Sequence, residues 1–268
     1  MTRRTRLDAE LVRRGLARSR EQAAELVAAG QVRVPGRPSL KPASQVTPAD
    51  PIVVDEPRGE SYVSRGGHKL AGALDAFAAD GLRVDGRRAL DAGASTGGFT
   101  DVLLRRGART VLCVDVGYGQ LAWPLRTDER VTVLDRTNVR ALTPDAVGEP
   151  VDLVVADLSF ISLRLVLPAI VSVATEGADL VPMVKPQFEV GRDALGPGGV
   201  VRDPAQRAAS VADVARSAYA DLGLGVRGVV ASPLPGPAGN VEYFLWLRRD
   251  AGPLDEDALA AAVAAGPA

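Results

Sequence analysis

Residues 87–107, RRALDAGASTGGFTDVLLRRG, decide the fold. An apolar run ends in a turn holding Gly93, Gly97 and Gly98 and then continues with helical periodicity, which is how a strand feeds a helix through a tight loop. Ser95 stands where a dinucleotide fingerprint needs its second glycine, and Asp91 sets an anion before the turn. A pyrophosphate wants a helix N-terminus free of nearby anions, so the turn argues against the nicotinamide type.

Downstream the same alternation recurs. The runs TVLCVDVG (110–117), VTVLDRT (131–137), VDLVVADLSF (151–160), ADLVPMVKP (178–186), VRGVVASPL (226–234) and VEYFLWLRR (241–249) read as strands. Helical stretches fit between most of them, including 203–222, where Asp203 can cap and Pro204 can take the first turn. Strands separated by helices imply βαβ units, hence an α/β, Rossmann-like, doubly wound parallel sheet with ligands at the carboxyl ends of its strands. The last two runs have no helix between them and are expected to pair antiparallel at the sheet edge. Asp115 closes the strand after the glycine turn, where a carboxylate can accept both hydroxyls of a ribose.

Upstream, residues 7–30 read as two short helices. Leu7, Leu11 and Val12 mark one apolar face; Ser19 with Gln22 makes a capping-box pattern before Ala23, Leu26 and Val27, and Gly30 ends the second helix. QVRV then alternates as a strand, PGRP turns, and PIVV (51–54) reads as another strand. The charged, turn-forming stretch 55–64 separates this module from the next. The expected organisation is a first domain at 1–60, a linker at 61–64, a second domain at 65–250 and a tail at 251–268 whose helix is loosely held.

Composition narrows the function. The 268 residues are 46% hydrophobic and 24% charged, ordinary for a globular chain. Cys113, the one cysteine, lies in an apolar run, excludes an internal disulfide framework and reads as a buried small hydrophobe. No secretory or membrane-spanning run is present, so a cytoplasmic protein without membrane contact is expected, and nothing in the sequence calls for a metal. Residues 1–45 carry ten basic side chains against four acidic ones, while the net charge of the chain is −1. A basic module on an acidic body suggests a polyanionic partner. Of 32 basic residues only Lys41, Lys69 and Lys185 are lysine. Lysine is a compact ammonium able to exchange its proton, whereas arginine holds its charge in a planar fork, so lysines kept in an arginine-rich chain are suspects for proton chemistry.

The motifs resemble known families. RLDAELVRRGLARSREQAAELVAAGQVRVPGR is similar to the S4 RNA-binding domain, and the resemblance implies a small α+β module with Arg6, Arg18 and Arg20, together with Arg4, facing RNA. Pro35 departs from the asparagine common before the glycine in that turn and changes the turn type. The D-x-G-x-x-x-G-G-F pattern resembles motif I of class I methyltransferases that use S-adenosylmethionine (SAM). It implies a cofactor site of Asp91, Gly93, Ser95, Thr96, Gly97, Gly98 and Phe99, with Asp115 and Val116 on the ribose side and Asp135 near the adenine.

Lys69, Asp157, Lys185 and Glu242, in that chain order, resemble the K-D-K-E tetrad of FtsJ-like RNA ribose 2′-O-methyltransferases. Lys185 ends a strand and Pro186 denies it a helical conformation. Asp157 ends the preceding strand, Glu242 opens the last, and Lys69 begins the helix before the first. SRGGHKL, DVGYGQLAW, ADLSFISL, VKPQFE and SPLPGPAGNVEYFLWL extend the likeness over essentially the whole chain, to the TlyA family, whose haemolysin name accompanies rRNA cytidine 2′-O-methylation. The resemblance implies a monomeric enzyme acting on 16S rRNA, 23S rRNA or both within ribosomal subunits, with Lys185 orienting or deprotonating the ribose hydroxyl and Lys69 fixing the nucleotide or supplying a second cation. Arg65 is a candidate phosphate contact, and His68 a phosphate contact or a helix cap. Trp123 and Trp246 read as core aromatics; Phe160 and Phe188 read as cleft walls, with stacking on a flipped base as the alternative. The rival functions are an RNA-binding protein with an inactive methyltransferase fold, a membrane-lytic protein and a small-molecule methyltransferase.

Overall fold

A computed structural model describes residues 4–17, 20–28, 30–54, 62–191 and 195–267. The chain divides into two compact units, residues 1–61 and 62–268. Ser19, the expected cap of the second helix, and Arg18 lie outside the described residues.

In the smaller unit, β1 (Thr5–Arg6) leads into α1 (Leu7–Arg13), followed by α2 (Arg20–Ala28), β2 (Val32–Arg33), β3 (Gln45–Val46) and β4 (Val53–Val54). The strands form two antiparallel ribbons, β1 with β3 and β2 with β4. Leu7, Leu11, Ala23, Val27 and Val32, marked by helical and alternating periodicity, lie in its core, joined by Val46 of β3, a strand the sequence reading does not give. Gly30 closes α2 with a left-handed φ of 69°, its amide donating to Val27 while the Gln31 amide donates to Leu26, so two carbonyls that the helix end would orphan are satisfied. Pro35 and Gly36 occupy the centre of the next turn: Gly36 takes φ 81° and the Arg37 amide donates to the Val34 carbonyl. Proline's fixed φ followed by a positive-φ glycine makes this a type II geometry, which accommodates the altered turn residue.

The larger unit is a seven-stranded sheet in the order β10-β11-β9-β8-β5-β6-β7, with β5 (Arg88–Ala92), β6 (Thr110–Val114), β7 (Val131–Leu134), β8 (Val151–Ala156), β9 (Ala174–Val184), β10 (Gly225–Ala231) and β11 (Tyr243–Arg248). Strands β5 to β9 run parallel to one another; β11 runs antiparallel between β9 and β10. Successive residues face opposite layers. Leu153 and Val155 of β8, with Phe244 and Trp246 of β11, pack under α3 (Gly66–Ala78) and α4 (Gly98–Arg105). Val154 and Ala156, with Tyr243 and Leu245, pack under α7 (Leu163–Ser172), α9 (Pro204–Leu222) and α10 (Glu256–Ala264). Two buried faces explain why these strands read as continuous apolar runs.

Asp203 caps α9 through the Ala205 amide at 2.9 Å with Pro204 in its first position, as the sequence pattern suggests. Three features differ from the sequence reading. Tyr62 to Ser64, read as linker, lie within the larger unit, where the Val63 amide donates to Asp101 at 2.9 Å. Helix α10 in the tail is seated on the core through Leu259 and Ala262. Trp123, read as a core aromatic, is 74% exposed because it opens the short helix α5 (Trp123–Arg126), whose one buried side chain is Leu125. Among the described residues no helix is long and apolar enough to cross a membrane.

Candidate active site

From β5 the chain crosses to β6 on one side and β8 on the other, and such a switch in strand order leaves a crevice at the carboxyl ends of the strands. Gly93, Asp115, Asp135, Asp157 and Lys185 each follow directly on the strand that ends there. Strand β11 runs the opposite way, so Glu242, just before it, reaches the same rim. Continuing the pairing of Val184 with Tyr243 by one step sets Lys185 opposite Glu242.

The glycine turn is shaped by packing as much as by any ligand. Gly93 has φ 86° and a Cβ there would overlap the Asp157 carbonyl; Gly97 has φ 96° and caps α4. A Cβ on Gly98 would overlap Ser64 Oγ and crowd the amide of Gly67. The glycines of SRGGHKL and of the cofactor turn thus let the N-terminal ends of α3 and α4 close on each other, and this carries Lys69 to the rim.

Four side chains form two ion pairs of unlike character. Lys69 Nζ meets Glu242 Oε2 at 2.5 Å with the side chains 6% and 1% exposed. Lys185 Nζ meets Asp157 Oδ1 at 2.6 Å and donates to Ser159 Oγ at 3.0 Å, and here Asp157 is 26% exposed. The first pair is sealed inside, while the second opens to the crevice. Lys185 adopts extended angles (φ −111°, ψ 102°) because Pro186, opening the short helix α8 (Pro186–Glu189), excludes a helical residue before it. Next to this pair, Phe160 is 91% exposed at φ 64°, with its ring 5.2 Å from that of Phe188. A left-handed bulky residue costs on the order of 1 kcal/mol and persists only where its surroundings impose it. Ser159 was absent from the sequence reading; only its place between Asp157 and Phe160 hinted at it.

The residues expected to hold a cofactor fall into three groups. Asp115 accepts from the Ser95 amide at 2.8 Å and the Gly117 amide at 2.7 Å, which fixes the carboxylate and leaves about half of its roughly four acceptor positions for other partners. Ser95 and Thr96 are exposed on the turn, and Val116 offers an apolar surface beside Asp115. Asp135 is engaged by Arg126 at 3.0 Å and by the Gly119 amide, and Arg126 holds its carboxyl below the usual range. Asp91, Gly98 and Phe99 are buried: Phe99 is a core side chain against Phe244, which leaves its backbone as what it can present. Asp91 accepts from Thr100 Oγ1 at 2.7 Å through one oxygen, and the other has no partner. Burial pushes its carboxyl up to about 7, with the Asp157 and Asp115 charges adding to the shift and the Thr100 hydroxyl opposing it. A fixed, part-open carboxylate, an exposed backbone turn and an apolar flank fit a nucleoside with a small charged group. Among the described residues no cluster of His, Cys, Asp or Glu is gathered as for a metal ion.

The expected RNA contacts are partly tied down. Arg6 and Arg20 both bind Asp8, at 2.8 and 3.1 Å, yet remain about half exposed, with side-chain values of 46% and 61%. Their carboxylate partner is held at about 2, chiefly by the Arg6 hydrogen bond. Arg4 is exposed. Arg65 donates to the Pro235 carbonyl at 2.5 Å, joining α3 to the loop before Glu242, and its buried Nε has no partner. His68 stands edge-on to Tyr62, with ring centroids 5.0 Å apart.

Comparison with known proteins finds relatives for both units. Residues 62–249 match the FtsJ-like methyltransferase family and residues 5–52 match the S4 domain. The 16S/23S rRNA (cytidine-2′-O)-methyltransferase TlyA of Mycobacterium tuberculosis is 65% identical over 92% of this chain and 91% of its own length. Hemolysin A of Brachyspira hyodysenteriae is 36% identical, covering 89% of this chain and 98% of its own. A solved structure from Streptococcus thermophilus that carries the name hemolysin is 36% identical and superposes with a TM-score of 0.76 over 98% of this chain and 96% of that one.

Proposed function

The chain belongs to the TlyA family of FtsJ-like methyltransferases that carry an S4 domain, and from that premise we propose that it methylates the ribose 2′-oxygen of cytidine in 16S rRNA, 23S rRNA or both, with SAM as donor. When bound, SAM supplies a methyl group made electrophilic by its sulfonium, so the chemistry calls for no metal ion. Asp115 would receive the ribose hydroxyls with Val116 beside it, Asp135 would lie near the adenine, and the turn from Gly93 through Ser95, Thr96 and Gly97 to Gly98 and Phe99 would present backbone to the methionine end. Asp91 supports that turn from beneath.

The chain's own task is then to position a hydroxyl and manage its proton. Lys185 carries it. Two of the three hydrogen-bonding directions of its nitrogen go to Asp157 and Ser159, and the third is left for the ribose oxygen, as donor or, after losing a proton, as acceptor. Asp157 fixes this geometry. The sealed Lys69–Glu242 pair holds the rim together, with Glu242 directly opposite Lys185 in the register of β9 with β11. Phe160, exposed beside Lys185, is the face on which the target base stacks once it leaves its helix. Arg4, Arg6, Arg18 and Arg20 of the S4 unit, with Arg65 and His68, engage rRNA phosphates in the ribosomal subunit. The enzyme acts as a cytoplasmic monomer.

The observation that carries this reading is Lys185 held between Asp157 and Ser159 at the open end of the crevice. Lys185→Arg tests it: with tritiated SAM and ribosomal subunits the variant is expected to lose at least 100-fold in rate while calorimetry shows SAM binding unchanged, because arginine keeps charge but does not exchange its proton. A wild-type rate in this variant would remove Lys185 from the reaction.

A further inference from the structure

We propose that Glu189 is a positioning residue of the reaction, a clamp that holds Phe160 in its left-handed conformation beside Lys185. The inference rests on the reading of Phe160 as the stacking face. Its starting point is that a bulky residue at φ 64° with 91% exposure has little packing of its own to keep it there. What fixes it must lie on either side along the chain.

On the upstream side, Asp157 and Ser159 are both bound by Lys185. On the downstream side, Glu189 accepts from Ser162 Oγ at 2.6 Å and from the Leu163 amide at 2.7 Å. Residues 157–163 are therefore stapled at both ends to the turn 185–189, and Phe160 sits between the staples with its ring against Phe188 of that same turn. The Glu189 side chain, 2% exposed, is costly to bury as a carboxylate, and burial raises its carboxyl above the ordinary range while the Ser162 hydroxyl and Leu163 amide oppose the shift. Helix capping alone does not require it, since Ser162 Oγ already caps α7 through the Arg164 amide at 3.3 Å. Arg164, the nearest cation, is 3.7 Å away and 44% exposed, so it neutralises the buried charge weakly. An apolar residue could pack here at lower cost; a carboxylate that accepts two hydrogen bonds sets the exit angle of the loop.

The clamp predicts energetic coupling between Glu189 and Phe160. In the full-length protein, with ribosomal subunits and tritiated SAM, Phe160→Ala and Glu189→Ala are each expected to lower kcat about tenfold, and the double variant to fall no further than Phe160→Ala alone. Glu189→Gln, whose amide oxygen still accepts from the Leu163 amide, is expected to recover to within about threefold of wild type. The Kd for SAM stays within about twofold throughout. Losses that multiply to about a hundredfold, or a wild-type rate in Glu189→Ala while Phe160→Ala is impaired, overturn the clamp and leave the stacking reading intact. A wild-type rate in Phe160→Ala overturns both. If Glu189→Ala melts too low to assay, Ser162→Ala opens the clamp from the other side and carries the same expectation.

Discussion

Replacing Lys69 by methionine keeps the length of the side chain and removes its ammonium, leaving Glu242 with 1% of its side chain exposed and no cation at 2.5 Å. Removing one partner of a buried pair costs about 3–5 kcal/mol, because the remaining charge is neither solvated nor compensated. In a unit of about 200 residues, each kcal/mol moves Tm by about 2–4 °C, so the variant is expected to melt about 6–20 °C below wild type. Lys185, the other cation at this rim, is committed to Asp157 and Ser159 and offers little relief. Adding Glu242→Gln removes the stranded charge and is expected to recover at least half of the loss. Lys185→Met supplies the contrast. It leaves Asp157 with 26% of its side chain in water, so it is expected to abolish methylation with a drop of only a few degrees. Melting followed by circular dichroism or calorimetry at neutral pH decides it. A Lys69→Met variant that melts with wild type, or a further fall on adding Glu242→Gln, would refute the idea that this pair is the sealed anchor of the rim.

Two further outcomes concern pH. Asp91 has its carboxyl raised to about 7 from an ordinary value of 3.8, so its contribution to stability is fully present below about pH 3.8 and is lost as the pH rises toward 7. Asp91→Asn is therefore expected to gain on wild type between those limits, by at most about 4 kcal/mol; a difference in Tm that does not change with pH would contradict the assignment. In the S4 unit, Asp8 and Glu10 are both held at about 2 by arginine hydrogen bonds, from ordinary values of 3.8 and 4.5. Depressed carboxyls stabilise above their unfolded values and lose that contribution as the pH falls through the folded ones, so this unit should loosen between about pH 4.5 and 2, seen as amide exchange that rises there first.

What the sequence disclosed was whatever local pattern dictates. The strand runs, the turn at Gly93 to Gly98, the cap at Asp203 and the end of α2 at Gly30 each depend on a few adjacent residues, and the structure has them where periodicity and cap chemistry put them. Acids at successive strand ends were legible for the same reason. Which lysine meets which carboxylate was not, because it depends on the register of β9 with β11 and on how far the glycines of α3 and α4 let the two helices approach. Trp123 read as core because an aromatic in a helical run usually is, yet four residues of helix bury only one side. Arg6 and Arg20 were counted as free charge, and their shared partner Asp8 came into view only once α1 folded. Glu189 left no sequence signal and Ser159 only its place beside Asp157, since their roles lie in contacts 26 or more residues away along the chain.

The central claim is that the reacting atom is a ribose oxygen of cytidine in rRNA. Purified protein incubated with tritiated SAM and each ribosomal subunit, followed by digestion of the rRNA to nucleosides and chromatography, tests it directly. The account predicts label co-eluting with 2′-O-methylcytidine and a backbone resistant to alkali at that position. Label on a base-methylated nucleoside, or no label in rRNA from either subunit, would contradict it.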